Sequence, residues 1–400
     1  MAWRETDKMD ERFRFVAAYL EGDDTMSGLC EAYGIARKTG YKWIARYREQ
    51  GATGLNDRSR APHFHGRTTD VELVERIVAE KEAHPLWGPK KITARLRQRQ
   101  PELAWPAVST VGEILKRHGL VKGRPRARWK GCGNGPWPEP DAPNAVWTAD
   151  HKGWFRTRNG ARCEPLTVMD AKSRYMLGLT AVGSTSEEEA WPVFERLFQE
   201  YGLPDRLRSD NGSPFAGAGV AGLTPLAVRF VRLGITLERI APGKPQQNGR
   251  HERFHLTLMP LARDPQATQA EQQRAFDAFR REYNEERPHE ALGQTTPQEH
   301  YRPSPRIMPA ASPEPDYPDS AAVRRVRHSG EIKWNGDLIY VSKSLVGEPV
   351  AIEETAEGEW AARFYTYPLG IIDPKHKKLR RRSILPLKGQ NAAEENQPEL

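Results

Sequence analysis

A single carboxylate stands at the end of an apolar stretch near the middle of the chain. The stretch runs Val146-Trp147-Thr148-Ala149-Asp150 and continues as His151-Lys152-Gly153. Such a run is typical of a buried strand, and the strand would deliver its one acid to a polar site. Two more acids have unusual surroundings: Asp210 lies in Arg-Ser-Asp-Asn-Gly, and Glu252 follows a loop rich in glycine and glutamine. These three carboxylates are the candidates for chemistry.

Three carboxylates in one site require positive charge between them, because each unpaired buried ion costs several kcal/mol. Hard oxygen ligands favour Mg²⁺ or Mn²⁺. Two such ions roughly 3.5 to 4 Å apart can activate an attacking oxygen and stabilise a leaving one in a displacement at phosphorus. We therefore predict that Asp150, Asp210 and Glu252 hold two Mg²⁺ or Mn²⁺ ions. Taken alone, each acid is more simply a surface or capping residue.

Positive charge is concentrated outside the stretch that carries the three acids. The chain has 400 residues and a net charge of +8. Residues 51–135 hold 17 Lys and Arg against 8 Asp and Glu, whereas residues 141–310 hold 22 against 21. Local basicity of this kind predicts a polyanion as partner. The length exceeds that of a single core, so we expect roughly two to four domains.

Cysteine usage and hydropathy predict a cytoplasmic protein. The three cysteines are far apart and form no Cys-x-x-Cys, so the sequence indicates neither a disulfide framework nor a zinc site. The first residues have no apolar signal core, and no run of 18 apolar residues occurs. We expect neither a membrane nor a small-molecule substrate as partner.

The first 54 residues are predicted to form a helix-turn-helix domain. Apolar residues recur at helical spacing from Asp10, a second helix covers about residues 25–32, and a third follows the turn Tyr33-Gly34-Ile35. Long donors suited to phosphates and base edges lie opposite the apolar stripe of the third helix: Arg37, Lys38, Tyr41 and Lys42. The alternative is an ordinary three-helix bundle with a solvated basic face.

A second helical unit is predicted over residues 69–122, after a Gly-, Pro- and Arg-rich linker at 55–68. Three short helices carry several basic side chains, among them Lys90 and Lys91, which we assign to DNA binding. Helical surfaces carry Lys and Arg in any case, so a plain helical domain is the alternative. A basic stretch rich in Pro and Gly at 123–143 is then predicted to be an interdomain linker.

Residues 144–301 are predicted to form a mixed α/β domain. We expect a strand over Val146–Phe155, a hairpin of Cys163–Met169 with Tyr175–Ala181, and a helix capped by Ser186 and Glu189. A short strand then leads to Asp210, and a helix, a strand and the helix of Glu252 follow. Antiparallel strands followed by alternating helices and strands describe a mixed layer.

The loop before Glu252 is rich in amide donors and carries two cations. We assign Lys244, Gln247, Asn248 and Arg250 to binding DNA beside the acids. The alternative is that Asn248 and Gly249 merely shape the turn into the helix.

The last part of the chain is predicted to hold a small β-barrel. A Pro-rich linker at 302–321 precedes it, the barrel covers 322–373, and a basic disordered tail covers 374–400. We expect its interior to contain Trp334, Tyr340, Val350, Ile352, Trp360 and Phe364. Residues 311–373 hold 6 Lys and Arg against 11 Asp and Glu, which favours a role in assembly over DNA binding.

Five motifs together resemble those of bacterial insertion-sequence transposases with a retroviral-integrase-type catalytic core, the DDE recombinase superfamily. They are L-N-D-R-S-R-A-P (55–62), V-W-T-A-D-H-K-G-W-F (146–155), R-S-D-N-G-S-P-F (208–215), P-G-K-P-Q-Q-N-G-R-H-E-R (242–253) and Y-N-E-E-R-P-H-E-A-L-G-Q-T-T-P (283–297). The resemblance implies a ribonuclease-H-like core with Asp150 on the first strand, Asp210 after the fourth and Glu252 on a helix facing both. It also implies an SH3-like barrel at the end of the chain.

The function implied by the resemblance is DNA transposition. Such a protein would bind the terminal inverted repeats of a mobile element as a homo-multimer on double-stranded DNA. It would then catalyse metal-dependent strand cleavage and strand transfer into target DNA. The alternative is a domesticated, non-catalytic DNA-binding protein that retains the fold, and the three acids argue against it.

Overall fold

The computed structural model describes residues 8–58, 69–121, 139–217, 222–240 and 249–380, apart from the side chains of Arg250 and Glu252. Parts of the predicted linkers at 55–68 and 123–143, and the predicted tail beyond residue 380, lie outside these ranges. The chain divides into two compact units, Met1–Asp70 and Val71–Leu400. No helix among the described residues is long and apolar enough to cross a lipid bilayer.

The first unit is a three-helix domain, which confirms the predicted helix-turn-helix pattern. Its helices are α1 (Lys8–Glu21), α2 (Met26–Ala32) and α3 (Arg37–Gln50), and a 3₁₀ turn covers Gly51–Leu55. The Thr25 hydroxyl caps α2 by accepting a hydrogen bond from the Gly28 amide. The buried core consists of Phe15, Val16, Leu29, Cys30, Trp43, Ile44 and Leu55.

Three further helices open the second unit, namely α4 (Val71–Ala83), α5 (Pro89–Arg99) and α6 (Val108–Arg117). Pro89 occupies the first turn of α5, where its missing amide hydrogen costs nothing. The three helices enclose one apolar core that consists of Ile77, Trp87, Ile92, Leu96, Trp105, Val111, Ile114 and Leu115.

A six-stranded sheet forms the centre of the second unit and confirms the predicted mixed α/β class. Its strands are β1 (Val146–His151), β2 (Phe155–Arg156), β3 (Arg162–Asp170), β4 (Met176–Val182), β5 (Arg206–Ser209) and β6 (Thr236–Arg239). The order is β4-β3-β1-β5-β6, with β2 also on β3. The pairs β4-β3 and β3-β1 are antiparallel, whereas β1-β5 and β5-β6 are parallel.

The prediction of a single strand over Val146–Phe155 is wrong, because the chain leaves the sheet after His151. Gly153 has a φ of +89°, a left-handed conformation that favours glycine. Phe155 then begins the separate strand β2, which pairs with Cys163. With this two-residue strand left out of the count, Asp210 follows the fourth strand.

Helices cover both faces of the sheet: α7 (Glu187–Tyr201) and α8 (Pro225–Arg232) on one, α9 (Gly249–Arg263) and α10 (Gln269–Arg281) on the other. Alternate residues of β3 show the division. Leu166 and Val168 share a core cluster with α7, whereas Cys163 and Met169 share one with Phe254 of α9. A π-helical turn (Glu282–Glu286), a 3₁₀ turn (Glu290–Leu292) and α11 (Pro297–His300) follow α10.

The capping box expected at the start of α7 does not form. Ser186 occupies the N-cap position but makes no side-chain capping hydrogen bond. The Glu189 carboxylate instead accepts a hydrogen bond from the Gly183 amide at 3.2 Å. The helix begins where the sequence predicts, with a different local contact.

The last part of the second unit is a seven-stranded, nearly closed barrel, which confirms the expected SH3-like domain. Its strands are β7 (Ala322–Arg325), β8 (Glu331–Trp334), β9 (Asp337–Tyr340), β10 (Pro349–Glu354), β11 (Trp360–Phe364), β12 (Tyr367–Asp373) and β13 (Lys378–Arg380), in the order β7-β10-β11-β12-β13-β9-β8. Tyr340 is 43% exposed and does not fill the interior, contrary to the prediction. The strand β13 lies beyond residue 373, where the sequence predicted a tail.

Helix α8 joins the barrel to the central sheet. Its residues Leu226 and Phe230 belong to the core of the sheet, and Val228 and Val231 belong to the core of the barrel. The Pro-rich segment between the two is also held, because Arg306 donates hydrogen bonds to the Pro204 carbonyl before β5 and to the Leu233 and Gly234 carbonyls before β6. The barrel and the sheet are therefore packed against each other rather than merely tethered.

Candidate active site

Asp150 and Asp210 lie at the same edge of the central sheet. In the parallel pair of β1 and β5, Thr148 is the register partner of Arg208. Each acid stands two residues further along the chain, Asp150 within β1 and Asp210 directly after β5, and neighbouring strands run about 4.8 Å apart. The Asp210 carboxylate accepts a hydrogen bond from the Gly212 amide at 3.1 Å, which fixes its orientation in the turn after β5. The structure therefore brings two of the three predicted acids together.

Helix α9 crosses the sheet beside Asp150. Thr167 of β3 is the register partner of Asp150, and its hydroxyl lies 3.1 Å from Nε2 of His255 on α9. The other ring nitrogen of His255, Nδ1, is 3.9 Å from Oδ2 of Asp150. Glu252 lies on α9 one turn before His255, and its side chain is outside the described atoms. The backbone that carries the third acid thus belongs to the helix that touches the first.

Two histidines beside the acids are neutral at neutral pH. Burial is the main cause that lowers the pKa of His255 to about 3, and the neighbouring Lys152 and His151 make smaller contributions to this shift. Burial also lowers the pKa of His151, against the opposing effect of Glu164 and Asp210. Neither imidazole therefore supplies a positive charge to the carboxylates.

Metal binding at this edge fits the donor chemistry of the two acids. Among the described side chains, no three of His, Cys, Asp and Glu form a group that could hold a metal ion, and Glu252 is not among those side chains. Asp150 and Asp210 offer hard carboxylate oxygens, which suit Mg²⁺ or Mn²⁺. The pair is thus compatible with a divalent cation.

Sequence reasoning missed three polar residues under this edge. His251 is fully buried, and its ring nitrogens contact the hydroxyls of Thr148 and Thr167. One sequence signal was present, since His251 and His255 are four residues apart with a glutamate between them. That spacing places two imidazoles on one face of a helix, and in other proteins such pairs bind zinc. Here the Nε2 atoms of both rings contact the Thr167 hydroxyl.

The basic face of α3 is accessible. Arg37, Lys38 and Lys42 are exposed, and Tyr41 is 57% exposed. The Lys42 ammonium lies 4.3 Å from the centre of the Trp43 ring, a cation–π contact with the core beneath. The assignment of these four residues to DNA remains a prediction.

Lys90 and Lys91, also assigned to DNA, contact the segment that follows α10 in this structure. The Lys90 ammonium is 2.6 Å from a carboxylate oxygen of Glu290, and that of Lys91 donates to the Pro288 carbonyl. Burial lowers the pKa of Lys91 to about 8. Arg95 of the same helix pairs with Glu286 at 3.1 Å. The basic face of α5 is thus turned towards the segment that follows α10, a non-local contact that no local sequence pattern signals.

The remaining predicted DNA contacts cannot be placed on the fold. Lys244, Gln247 and Asn248 lie outside the described residues, as does the side chain of Arg250. Gly249 begins α9. The predicted loop therefore leads directly into the helix that contacts Asp150.

Comparison with protein families matches five stretches of the chain. Residues 11–63 match a helix-turn-helix domain, and residues 39–115 match a homeodomain-like domain. Two models of the integrase core domain match residues 140–245 and 233–297. Residues 321–380 match the C-terminal domain of IS481 family transposases, and this match includes β13.

Two relatives span large parts of the chain. An uncharacterized 31.7 kDa protein of insertion element IS407 from Burkholderia multivorans is 30% identical over 162 residues, which cover 40% of this chain and 56% of the relative. The transposase for transposon Tn552 from Staphylococcus aureus is 22% identical over 287 residues, which cover 62% of this chain and 55% of the relative. The chain thus spans just over half the length of each.

Solved structures of viral integrases are also similar to the chain. A simian T-cell lymphotropic virus intasome in complex with PP2A regulatory subunit B56 gamma is 15% identical, with a TM-score of 0.35, and the match covers 75% of this chain and 99% of that one. The HTLV-2 integrase catalytic core domain in complex with magnesium is 15% identical, with a TM-score of 0.31, and the match covers 40% and 99%.

Proposed function

Because the chain belongs to the bacterial insertion-sequence transposases with an integrase-type core, we propose that it binds the terminal inverted repeats of a mobile element and joins them to target DNA. The observation that carries this proposal is the parallel register of β1 and β5, which brings Asp150 and Asp210 to one edge of the sheet. A catalytically silent scaffold would have no need of two acids there.

Asp150, Asp210 and Glu252 would hold Mg²⁺ or Mn²⁺, with two ions in the site. Bound there, the ions supply activation of the attacking oxygen and stabilisation of the leaving oxygen. The protein's own part is to fix the two strand-borne acids against the helix of the third. The buried, neutral His255 beside Asp150 adds no cation that would compete for the carboxylate.

The reaction is two successive displacements at phosphorus. Water first cleaves the phosphodiester at the end of the element and leaves a free 3′-hydroxyl. That hydroxyl then attacks a phosphodiester of the target, so one bond forms as another breaks. No covalent bond to the protein is needed, which agrees with a site built from carboxylates rather than from a nucleophilic side chain.

Recognition of the element ends is assigned to the exposed face of α3, with Arg37, Lys38, Tyr41 and Lys42 as donors. The loop of Lys244, Gln247, Asn248 and Arg250 would hold the reacting end beside the acids, since positioning is itself a catalytic contribution. The partner is double-stranded DNA, both element ends and target. We propose a homo-multimer on that DNA, because two ends must be joined together.

The test is a joining assay with the full chain, a duplex of the element end taken from DNA flanking the gene, and a supercoiled target. With Mg²⁺, the wild type should join the duplex. Asp150→Asn, Asp210→Asn and Glu252→Gln should each abolish joining and retain end binding. Asp264→Asn is the matched control, because Asp264 is an exposed acid paired with Arg158. Substantial Mg²⁺-dependent joining by any of the three acid variants would contradict the assignment of that acid.

The same assay separates the alternative function. A domesticated DNA-binding protein would bind the element ends with wild-type acids and never join them, with Mg²⁺ or with Mn²⁺. That result would reject the proposal while leaving the domain family unchanged.

A further inference from the structure

We propose that His251 is a positioning residue that fixes the first turn of α9, and with it the backbone of Glu252, against the strand of Asp150. This inference rests on the proposed function, because it treats Glu252 as the third acid of the site. The contacts of His251 reach two strands at once, and this feature carries the proposal.

His251 is fully buried and spans β1 and β3. Its Nδ1 lies 3.1 Å from the Thr148 hydroxyl of β1, and its Nε2 lies 2.5 Å from the Thr167 hydroxyl of β3. Thr148 stands two residues before Asp150 on the same face of its strand, and Thr167 is the register partner of Asp150. The imidazole therefore hydrogen-bonds to the residue two positions before Asp150 on β1 and to the residue opposite Asp150 on β3.

Hydrogen counting at Thr167 fixes the direction of these bonds. The Thr167 hydroxyl has three neighbours: the Asp150 carbonyl at 2.8 Å and the Nε2 atoms of His251 and His255. A carbonyl can only accept, so the one hydroxyl proton goes to Asp150, since otherwise two oxygen lone pairs would face each other at 2.8 Å. Both imidazoles then donate to Thr167. The Thr148 hydroxyl has two acceptors within reach, Nδ1 of His251 at 3.1 Å and the Met169 carbonyl at 3.3 Å, and we assign its proton to the shorter contact, so Nδ1 of His251 accepts from Thr148.

Both ring nitrogens of His251 are thus hydrogen-bonded, and these bonds fix the position of α9 along the sheet. A fully buried polar group that loses a partner destabilises its surroundings, so a slip of α9 along the sheet would be penalised at both strands. Apolar contacts of α9 with the cluster around Phe276 resist separation of the helix from the sheet but fix its register less sharply. Glu252 is the next residue after His251. Its backbone is therefore held by the same contacts.

The plain reading is a core histidine that only stabilises the fold, and matched variants separate the two roles. His251→Phe keeps an aromatic ring and removes both polar atoms, whereas His251→Gln keeps one donor and one acceptor. Leu258→Ala is the control, because Leu258 is a fully buried residue of α9 with apolar contacts only. The thermal midpoint and the affinity for Mn²⁺ are measured on the full chain without DNA, the latter by electron paramagnetic resonance titration.

Loss of positioning should appear as a loss of metal affinity that stability does not explain. Removal of groups that orient metal ligands weakens metal binding about 10- to 100-fold, and we expect His251→Phe to fall in this range. His251→Gln should retain part of the affinity. Leu258→Ala should lower the thermal midpoint at least as much and leave the affinity unchanged. Wild-type affinity in His251→Phe, or an equal loss in Leu258→Ala, would overturn the proposal.

A second pair of variants keeps the test decisive if His251→Phe does not fold. Thr148→Val removes only the hydroxyl that donates to His251, and Thr148→Ser keeps it. We expect weaker Mn²⁺ binding in the valine variant alone, and equal affinities would overturn the proposal. A wild type that binds Mn²⁺ but joins no DNA would instead reject the proposed function. The ranking of Mn²⁺ affinities among the variants would still decide the role of His251.

Discussion

Asp150 and Asp210 each stand two residues beyond a register pair, Thr148 and Arg208, on adjacent parallel strands. Groups that act as one unit show strongly non-additive losses. We therefore predict that Asp150→Asn and Asp210→Asn each reduce the rate of joining by roughly 10³-fold or more, and that the double variant is no slower. The measurement is single-turnover joining with Mn²⁺, where residual rates are easiest to detect. Losses that add in the double variant would show that the two acids act independently.

The exposed face of α3 should read the element end. Arg37→Ala, Lys38→Ala and Lys42→Ala should weaken end binding, and a residue bonded to a base edge should cost about 1 to 3 kcal/mol and relax preference at one position. A phosphate contact would weaken all sequences alike and reduce the salt dependence of binding. The exposed Lys172 of the central domain supplies the control Lys172→Ala. Unchanged footprints and affinities in all three α3 variants would remove this helix as the reader.

Gly40 lies where the three helices of the first unit meet. A Cβ at this position would fall 2.7 Å from the Cys30 sulfur and 2.9 Å from the Phe15 ring. Alanine gains about 1 kcal/mol of helix propensity over glycine, but overpacking costs about 1 to 3 kcal/mol. We predict that Gly40→Ala lowers the unfolding free energy of the unit.

Gly28→Ala is the matched control, since its Cβ would meet its nearest neighbour, Thr25, at 3.5 Å. It should stabilise α2 by up to about 1 kcal/mol. Urea titration of both variants measures the difference. A Gly40→Ala variant as stable as Gly28→Ala would show that α1 and α2 move apart without cost.

Local sequence patterns predicted most elements of this fold and few of its long-range contacts. The hairpin of β3 and β4 followed from two apolar runs around a polar turn, and α3 from helical spacing. The break after His151 was missed, because an apolar run does not show that Gly153 turns the chain. The motif around Asp210 indicated an acid in a turn. Its register with Asp150 depends on parallel pairing of segments about 60 residues apart in sequence, which no local pattern encodes.

Polar contacts beneath and around the site were equally hidden. A threonine in a strand looks ordinary, so Thr167 gave no sign that two histidines of α9 would bond to it. The basic face of α5 suggested DNA, because charge alone does not distinguish a phosphate from the carboxylate of Glu286. Side-chain contacts between distant segments are therefore a part of the structure that the sequence patterns did not show.

The contact of α5 with the segment after α10 should depend on charge. Glu286 accepts from both Arg95 at 3.1 Å and Arg99 at 3.4 Å. We predict that Glu286→Lys exposes the α5 region to hydrogen exchange, with a loss of about 1 kcal/mol for such partly exposed pairs. Arg95→Glu combined with Glu286→Lys should restore part of the protection. Equal exchange in the single and double variants would show that apolar packing alone holds α5.

The free energy of unfolding of the second unit should fall at acid pH because His289 is buried. Burial lowers the pKa of His289 to about 3, and the charges of Lys91 and Arg287 contribute. The unfolded chain has a histidine pKa near 6.5, about the usual value, so it takes up a proton between pH 6.5 and 3 that the folded chain does not. The stabilisation is therefore complete above pH 6.5 and is lost as the pH falls towards 3. One proton corresponds to at most about 1.4 kcal/mol per pH unit, an upper limit for a partly buried group.

His289→Gln removes the group that takes up this proton. The unfolding free energy of the variant should therefore decline less steeply below pH 6.5 than that of the wild type. His328→Gln is the control, because His328 is an exposed histidine in the turn between β7 and β8. Urea titrations of the three proteins at steps from pH 7.5 to about 4.5 span the upper part of the window in which only the unfolded histidine is protonated. Parallel curves for the wild type and His289→Gln would show that His289 is protonated as readily in the folded chain as in the unfolded one.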